Sequence, residues 1–198
     1  MSTQAMERKE DRSPDVERAA ARLARPYARV ALLFKRLGDV LLALLMVVVL
    51  VPLFVTVLLL LAFAGDGLLE RRRRLGKNGR PIILTRFREL PGGAFGQALE
   101  RVGARELPLL LTVLRGRLSF VGPRALPPGT DAGHTGPRRL LAPGLMGPAQ
   151  RGFTHASELE ALRLDDAYVA HWTPWIDVKF LAGRSPQLAH QSVSKSSS

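Results

Sequence analysis

The chemistry open to this chain starts from its charge. Lysine and arginine number 29 against 17 aspartates and glutamates, a formal net charge of +12. An arginine side chain presents a planar fork of N–H donors that suits phosphate oxygens. So large a cationic excess invites a nucleic-acid reading. The arginines, however, flank an apolar run, and there is neither zinc-ligand spacing nor a nucleic-acid-binding motif. A membrane-surface protein that handles phosphate-bearing ligands uses the same charge. Other chemistries fall away. The chain has no cysteine, which excludes thiolate catalysis and a disulfide framework. None of His134, His155, His171 and His190 has a partner at metal-ligand spacing. Asp165 and Asp166 resemble a metal pair, but adjacent residues on a helix do not share a face, so Asp165 reads as structural. Tyr168, Trp172 and Trp175 suit an interfacial aromatic patch and core packing equally well.

The element that must position this charge is Val40–Ala64, VLLALLMVVVLVPLFVTVLLLLAFA, which is uncharged and contains one proline, Pro52. As a helix rising ~1.5 Å per residue it is long enough to cover a ~30 Å hydrocarbon core. Buried helices of soluble domains rarely carry so long an apolar run, so the sequence predicts membrane insertion. Two arrangements compete evenly: a single pass, and a re-entrant helix–break–helix that enters and leaves by one face. Arg29, Lys35 and Arg36 precede the run, and Arg71–Arg74, Lys77 and Arg80 follow it. Two basic flanks give no direction of crossing. Pro52 removes one intrahelical hydrogen bond and disfavours helical geometry at Val51, which supplies a place to bend. Prolines also occur in straight membrane helices. The run starts too late and extends too far for a cleaved signal peptide, so the bulk of the chain is expected to face the cytoplasm.

A length of 198 residues leaves room for one domain beside the membrane segment. The predicted fold class is α+β, mainly helical, with a membrane segment, a small β-hairpin and a helical domain. Residues 1–28 read as a polar tail with a helix start, 29–67 as the membrane anchor, 68–183 as the main domain and 184–198 as a disordered tail. Ser13-Pro14 marks a helix start. Asp15–Gly38 suits an amphipathic helix on the headgroups, interrupted at Pro26, or a mere positive lead-in. Gly65-Asp66-Gly67 is a turn. Asn78-Gly79, ahead of strand-like Ile82–Phe87, predicts the hairpin. A helix is expected over Ala94–Leu107, then a short core helix over Leu109–Leu114. Gly122-Pro123 and Pro127-Pro128-Gly129 read as loops, Asp131–Pro137 as a connector and Pro143–Gly152 as irregular. Ser157-x-x-Glu160 is a capping box opening a helix to about His171, and Thr173-Pro174 opens one more.

An ordered set of motifs then carries a resemblance. It begins with Phe34-Lys35-Arg36-Leu37-x-Asp39 and continues with Arg74-Leu-Gly-Lys-Asn-Gly-Arg-Pro81, Arg86-Phe87-Arg88, Glu106-Leu-Pro108 and Val113-Leu-Arg-Gly116. Ser119-Phe-Val-Gly-Pro-Arg124, Pro143-Gly144-x-x-Gly147-x-Ala149-Gln150 and Tyr168-Val-x-x-Trp172-x-x-Trp175-x-Asp177-x-Lys179 complete it. In this order the chain resembles the bacterial sugar transferases, the monotopic polyprenyl-phosphate phosphoglycosyl transferases, from about Phe34 to Leu181. The resemblance implies transfer of a sugar phosphate from a UDP-sugar to polyprenyl (undecaprenyl) phosphate with release of UMP, initiating exopolysaccharide or lipopolysaccharide synthesis. It implies the cytoplasmic face of the bacterial inner membrane, with membrane lipid as a partner and no nucleic acid. A homo-oligomer or a polysaccharide-assembly partner is a further expectation. It also implies a re-entrant helix broken at a Ser-Pro pair, here Val51-Pro52, which favours re-entry at Pro52 although the serine is missing. The family's chemistry is ping-pong: an aspartate attacks the β-phosphate, and the adjacent glutamate binds Mg²⁺. By position, Glu106 is the metal ligand and catalytic carboxylate. Arg88 and Arg124 match family arginines, Arg86 replaces a lysine, and Arg138 fits an arginine ahead of the Pro-Gly segment. These four are the phosphate-binding candidates.

One departure bears on activity. Arg105 stands where the nucleophilic aspartate should be, in Arg105-Glu106-Leu107-Pro108. A guanidinium has no lone pair to offer and stays cationic at any working pH, so it cannot form an acyl-phosphate-type intermediate and would repel Mg²⁺ at close range. Leu109, Thr112, Arg117, Ala125, Ala142 and Pro148 also replace family residues. The primary reading is a phosphoglycosyl transferase whose substitute nucleophile is Glu106, Glu100 or the lipid phosphate itself. The alternative is a catalytically inactive membrane-bound relative that acts as a binding or scaffold partner. A DNA-binding membrane protein rests on charge alone and ranks far behind.

Overall fold

The computed structural model describes residues 14–64, 68–90, 93–130, 136–148 and 158–183. Three helices open it: α1 (Pro14–Ala24), α2 (Pro26–Val49) and α3 (Val51–Ala64). Pro14 and Pro26 each stand at a first helical position, where the missing N–H costs nothing. The expected interruption at Pro26 is therefore a restart. Ser13, Gly65–Gly67, Ser157 and the tail after Gly183 lie outside the described residues, as does most of the Asp131–Pro137 connector.

The apolar run is bent. Helix α2 ends at Leu50 (φ −93°, ψ 6°), and α3 leaves it at 62°. Pro52 has no N–H to offer the preceding turn, while the Leu50 and Phe54 amides still bond back to Met46 and Leu50. The break thus falls one residue ahead of Val51-Pro52, with Pro52 inside the first turn of α3. No single helix among the described residues is long and apolar enough to cross a membrane, whereas the bent pair passes that test together. One side of the pair packs inward through Ala43, Val57 and Leu61, all nearly inaccessible. The other exposes Leu44, Leu45, Val48, Val49, Val55, Leu59 and Phe63.

The hairpin is as the turn signal predicts. Strand β1 (Leu69–Leu75) pairs antiparallel with β2 (Pro81–Phe87), from Leu69 opposite Phe87 to Leu75 opposite Pro81. Asn78 and Gly79 both take left-handed φ, 57° and 69°, in the connecting turn. Four consecutive arginines make β1 an edge strand that invites no further pairing. Alternation puts Arg72 and Arg74 on the same face as Ile82, Leu84 and Arg86.

Two expectations are corrected next. The helix foreseen over Ala94–Leu107 stops early: α4 is Ala94–Arg101. Gly103 follows in the left-handed conformation (φ 75°), and a 3₁₀ turn, Ala104–Glu106, leads into α5 (Leu109–Leu114). Glycine at this position accepts the left-handed φ that closes a helix, which makes Gly103 the stop signal overlooked in the sequence. Gly122-Pro123 is a loop as read, but the Pro143–Gly152 segment is not irregular throughout. Strand β3 (Ser119–Val121) pairs in parallel with β4 (Gly144–Met146). The approach is so close that a Cβ on Gly122 would lie 2.5 Å from the Ala142 carbonyl oxygen, and one on Gly144 2.2 Å from the Gly122 nitrogen. Helices α6 (Glu158–Ala170) and α7 (Pro174–Leu181) end the described chain. Tyr168 and Trp172 are core residues, whereas Trp175 is exposed.

The basic flank ahead of the apolar run is not a free one. Lys35 Nζ donates to Asp177 Oδ2 (2.6 Å) and to the Val121 carbonyl (2.8 Å). Arg36 donates to the Val113 and Leu114 carbonyls (2.6 and 2.7 Å), closing the C-terminal end of α5. Asp39, buried, accepts the Ser119 hydroxyl (2.7 Å) and the Phe120 amide (3.1 Å). Asp177 also accepts the Tyr168 hydroxyl (2.5 Å) and the Trp172 ring N–H (3.2 Å). Burial and the Asp177 charge push the Tyr168 hydroxyl pKa well above its ordinary value. The motif residues Lys35, Arg36 and Asp39 thus bolt α2 to the domain.

Candidate active site

A groove of ≈ 980 Å³ lies between the C-terminal half of α2 and the rest of the domain. Leu42, Met46 and Leu50 form its apolar wall on the α2 side, and Leu84 and Leu110 continue that wall. Its polar lining consists of Arg74, Arg86, Arg124 and Glu106. Each reaches the groove from a different element. Alternation along the hairpin turns Arg74 and Arg86 to one face, the 3₁₀ turn after Gly103 presents Glu106, and Arg124 follows β3 through Gly122-Pro123. The Arg124 amide donates to Asp165 Oδ2 (3.0 Å), which fixes the backbone there. Asp165 is completely buried, and its burial pushes the carboxyl pKa up to about 6 in spite of that bond.

Three of the expected site residues meet in this groove. Glu106 Oε1 lies 3.1 Å from Arg86 Nη1. Arg86 Nε and Arg124 Nε and Nη2 are buried with no hydrogen-bond partner among the described residues. Unpaired buried donors are costly, and guanidinium N–H groups are most readily satisfied by an oxyanion. Arg74 was not among the expected binding residues, although counting alternate positions back through the Asn78-Gly79 turn finds it.

Other expected residues stand elsewhere. Arg88 is exposed, past the end of β2, with its amide bonded to the Leu68 carbonyl. Arg138 is buried and lies outside the groove lining: Nε and Nη2 donate to Asp166 (3.1 and 2.6 Å), and Nη2 also to the Leu162 carbonyl (2.9 Å), while Nη1 is buried with no acceptor among the described residues. Pro52 acts at the helix break, away from the groove lining. Arg105 turns from the groove towards the hairpin. Its Nε donates to the Phe87 carbonyl (3.3 Å), and its other nitrogens approach Glu70 Oε2 (3.5 Å) and Glu100 Oε1 (3.9 Å). Glu70 is held below the usual carboxylate pKa, chiefly by its hydrogen bond from Arg72, with Arg105 and Arg86 adding to the effect. Glu100 accepts the Leu90 amide and does not line the groove.

The donor set does not make a metal cage. Among the described residues no three ligating side chains converge on a point. Glu106 is the one carboxylate in the groove lining, and a guanidinium already sits on it. An Mg²⁺ ion can bind through one carboxylate plus substrate phosphates, but here it would share Glu106 with the Arg86 guanidinium and meet its charge at close range.

An arginine-rimmed groove beside an apolar bent helix is the pattern expected of an enzyme that acts on a lipid-borne phosphate. Comparison with known proteins agrees. Residues 30–190 match the bacterial sugar transferase family, and the chain belongs to that family. It is 31% identical to the UDP-glucose:undecaprenyl-phosphate glucose-1-phosphate transferase of Caulobacter vibrioides, over 90% of this chain and 78% of that protein. It is 29% identical to the Escherichia coli K12 protein of the same name, over 79% of this chain but 40% of that protein. An exopolysaccharide production protein of Rhizobium leguminosarum is 30% identical over 77% of this chain and 93% of its own length.

Proposed function

We propose that this chain is a phosphoglycosyl transferase that moves a sugar 1-phosphate, glucose 1-phosphate first among the candidates, from its UDP ester to undecaprenyl phosphate. The reaction would open exopolysaccharide synthesis on the cytoplasmic face of the bacterial inner membrane. The observation that carries this reading is the groove itself. One wall is apolar and continuous with the bent helix pair, where a polyprenyl chain would lie. Its polar lining carries guanidinium N–H donors without partners among the described residues, where a diphosphate would lie. The 62° bend supports a re-entrant seat for α2 and α3, with residues 29–67 as anchor and 68–183 as transferase domain.

The chemistry follows from the side chains in reach. Arg105 offers no nucleophile, and Glu100 is held outside the groove lining by Arg105 and the Leu90 amide. Glu106 is engaged with Arg86 and serves to orient it. The attacking group is then an oxygen of the lipid phosphate. It forms a bond to the β-phosphorus of the UDP-sugar while the bond from that phosphorus to the bridging oxygen breaks. UMP leaves with the electron pair, and the product is a polyprenyl diphosphate sugar. Arg86 and Arg124 hold charge that develops on the phosphoryl oxygens. In-line approach of two bound reactants supplies much of the rate.

Isotope exchange tests this mechanism. Labelled UMP should enter UDP-glucose only when lipid product is present. Exchange in the absence of lipid would mean a covalent enzyme intermediate and would place the nucleophile on Glu106. A second reading, a binding partner without turnover, is favoured by the tether on Arg105. It would be established if UDP-sugar bound to the groove and no UMP formed with any of a panel of UDP-sugars.

A further inference from the structure

We infer that this chain neutralises a bound diphosphate with arginine in place of a divalent metal ion. Arg74, Arg86 and Arg124 act as the counter-charge, while Arg105 fills the neighbouring carboxylate cluster as a tethered cation. The inference rests on the proposed function for the identity of the diphosphate, but its argument is local.

The carboxylates around the groove are already in use. Glu106 pairs with Arg86 at 3.1 Å. Glu70 pairs with Arg72 at 2.5 Å and with Arg105 at 3.5 Å. Glu100 lies 3.9 Å from Arg105 and accepts the Leu90 amide at 3.4 Å. Because the Arg105 guanidinium touches both Glu70 and Glu100, it occupies the point between them that a cation would otherwise share. A divalent ion entering here meets no carboxylate without a cationic partner, and it meets the Arg105 charge itself.

Two of the cations lining the groove keep donors in reserve, Arg86 in spite of its pairing with Glu106. Arg86 Nε and Arg124 Nε and Nη2 are buried without acceptors. These N–H groups belong to planar forks that can each span two phosphate oxygens. Three guanidinium groups less the Glu106 carboxylate leave two positive charges in the groove lining. A diphosphate diester such as a UDP-sugar carries two negative charges, so arginine alone balances it. Guanidinium also stays charged at every working pH. Binding would thus need neither a metal nor a protonation step.

The test uses the full chain in lipid nanodiscs. Calorimetry with inorganic pyrophosphate and with UDP-glucose is run in EDTA and again in excess Mg²⁺, and Mn²⁺ binding is followed separately by electron paramagnetic resonance. The expected result is affinity within about twofold between EDTA and Mg²⁺, and a free Mn²⁺ signal undiminished by protein. Arg124→Gln should weaken pyrophosphate in EDTA by about tenfold or more, whereas Arg80→Gln at the exposed hairpin turn should not. Loss of about tenfold affinity in EDTA would overturn the inference. So would stoichiometric Mn²⁺ binding that Glu106→Gln abolishes. The wild-type measurements decide the matter even where a variant folds poorly. If pyrophosphate binds in EDTA and UDP-glucose binds no better, the transferase reading fails and the arginine cradle stands. If UDP-glucose binds only with Mg²⁺, the cradle fails and the transferase reading stands. If neither ligand binds under any condition, both fail.

Discussion

Arg138 and Arg124 are both arginines placed by sequence in a phosphate-binding role, and the fold uses them in opposite ways. Arg138 has its fork on Asp166 and a further bond to the Leu162 carbonyl, and a Cβ on Gly136 would come within 2.8 Å of Asp166. Its charge is consumed in holding the short Pro137–Leu140 turn to α6. Arg124 gives its backbone N–H to Asp165, while Nε and Nη2 of its side chain are buried with no acceptor among the described residues. The seam between α2 and the domain repeats the Arg138 pattern: Lys35, Arg36 and Asp39 are all matched to protein groups. In a chain with so many cations, charge alone does not identify the binding side chains. Donors left without an acceptor on side chains that also line the groove do, and Arg138, whose Nη1 is unpaired too, does not line it.

The sharpest way to break that contrast is at the seam. Asp177→Ala leaves Lys35, the Tyr168 hydroxyl and the Trp172 ring N–H without their shared acceptor, with Lys35 and Asp177 side chains only 12% and 10% exposed. A loss of about 3–5 kcal/mol is expected, the usual cost of stranding a buried charge, read as a fall in denaturation midpoint. Asp177→Asn should recover part of it.

Asp165 gives the next largest effect, and it is a pH effect. Its pKa in the fold is raised from 3.8 to about 6, so between those values the folded chain binds more protons than the unfolded one. Stability from this group is therefore greatest in acid and falls as pH rises through about 6. The stability difference between wild type and Asp165→Asn should change by about 3 kcal/mol between pH 3.5 and 7, wild type losing relative to the variant as pH rises. A difference that stays flat with pH would contradict the burial argument.

Arg124→Gln should separate function from stability. About 10–100-fold of UDP-glucose affinity or turnover is expected to disappear, while the melting temperature holds or rises, because Nε and Nη2 have no partner to lose among the described residues. Arg138→Gln is expected to do the reverse, lowering the melting temperature first. Arg105→Asp is the smallest perturbation of the fold. The three contacts of Arg105 are long and its two carboxylate partners half-exposed, so about 1 kcal/mol is at stake. The substitution adds a fourth carboxylate beside Glu70, Glu100 and Glu106 and removes the tethered cation. Mg²⁺ should then raise the melting temperature of the variant where it leaves wild type unchanged.

Much of this was legible in the sequence, for physical reasons that differ by element. Pro52 marks where the apolar run can bend, because a missing N–H acts locally, but it left a straight helix equally open until the family resemblance favoured the bend. The hairpin could be read from Asn78-Gly79, because two left-handed residues fix the turn. What stayed hidden depended on partners far along the chain. The parallel pairing of Ser119–Val121 with Gly144–Met146 has no local turn to announce it. The capture of Arg138 by Asp166 and of Lys35 by Asp177 joins residues whose proximity only the fold creates. The substitution at Arg105 was plain, but not that Glu70 and Glu100 flank it as counter-ions. Arg74 was within reach of simple alternation along β1.

The most direct test of the groove as a sugar-phosphate transfer site is UMP release, measured side by side for wild type and Arg124→Gln in nanodiscs with undecaprenyl phosphate and UDP-glucose. UMP and an equal amount of undecaprenyl diphosphate glucose should form with wild type, and at a rate reduced at least about tenfold with an equally stable Arg124→Gln. Equal rates from the two proteins, or no UMP from wild type with any of a panel of UDP-sugars, would contradict it.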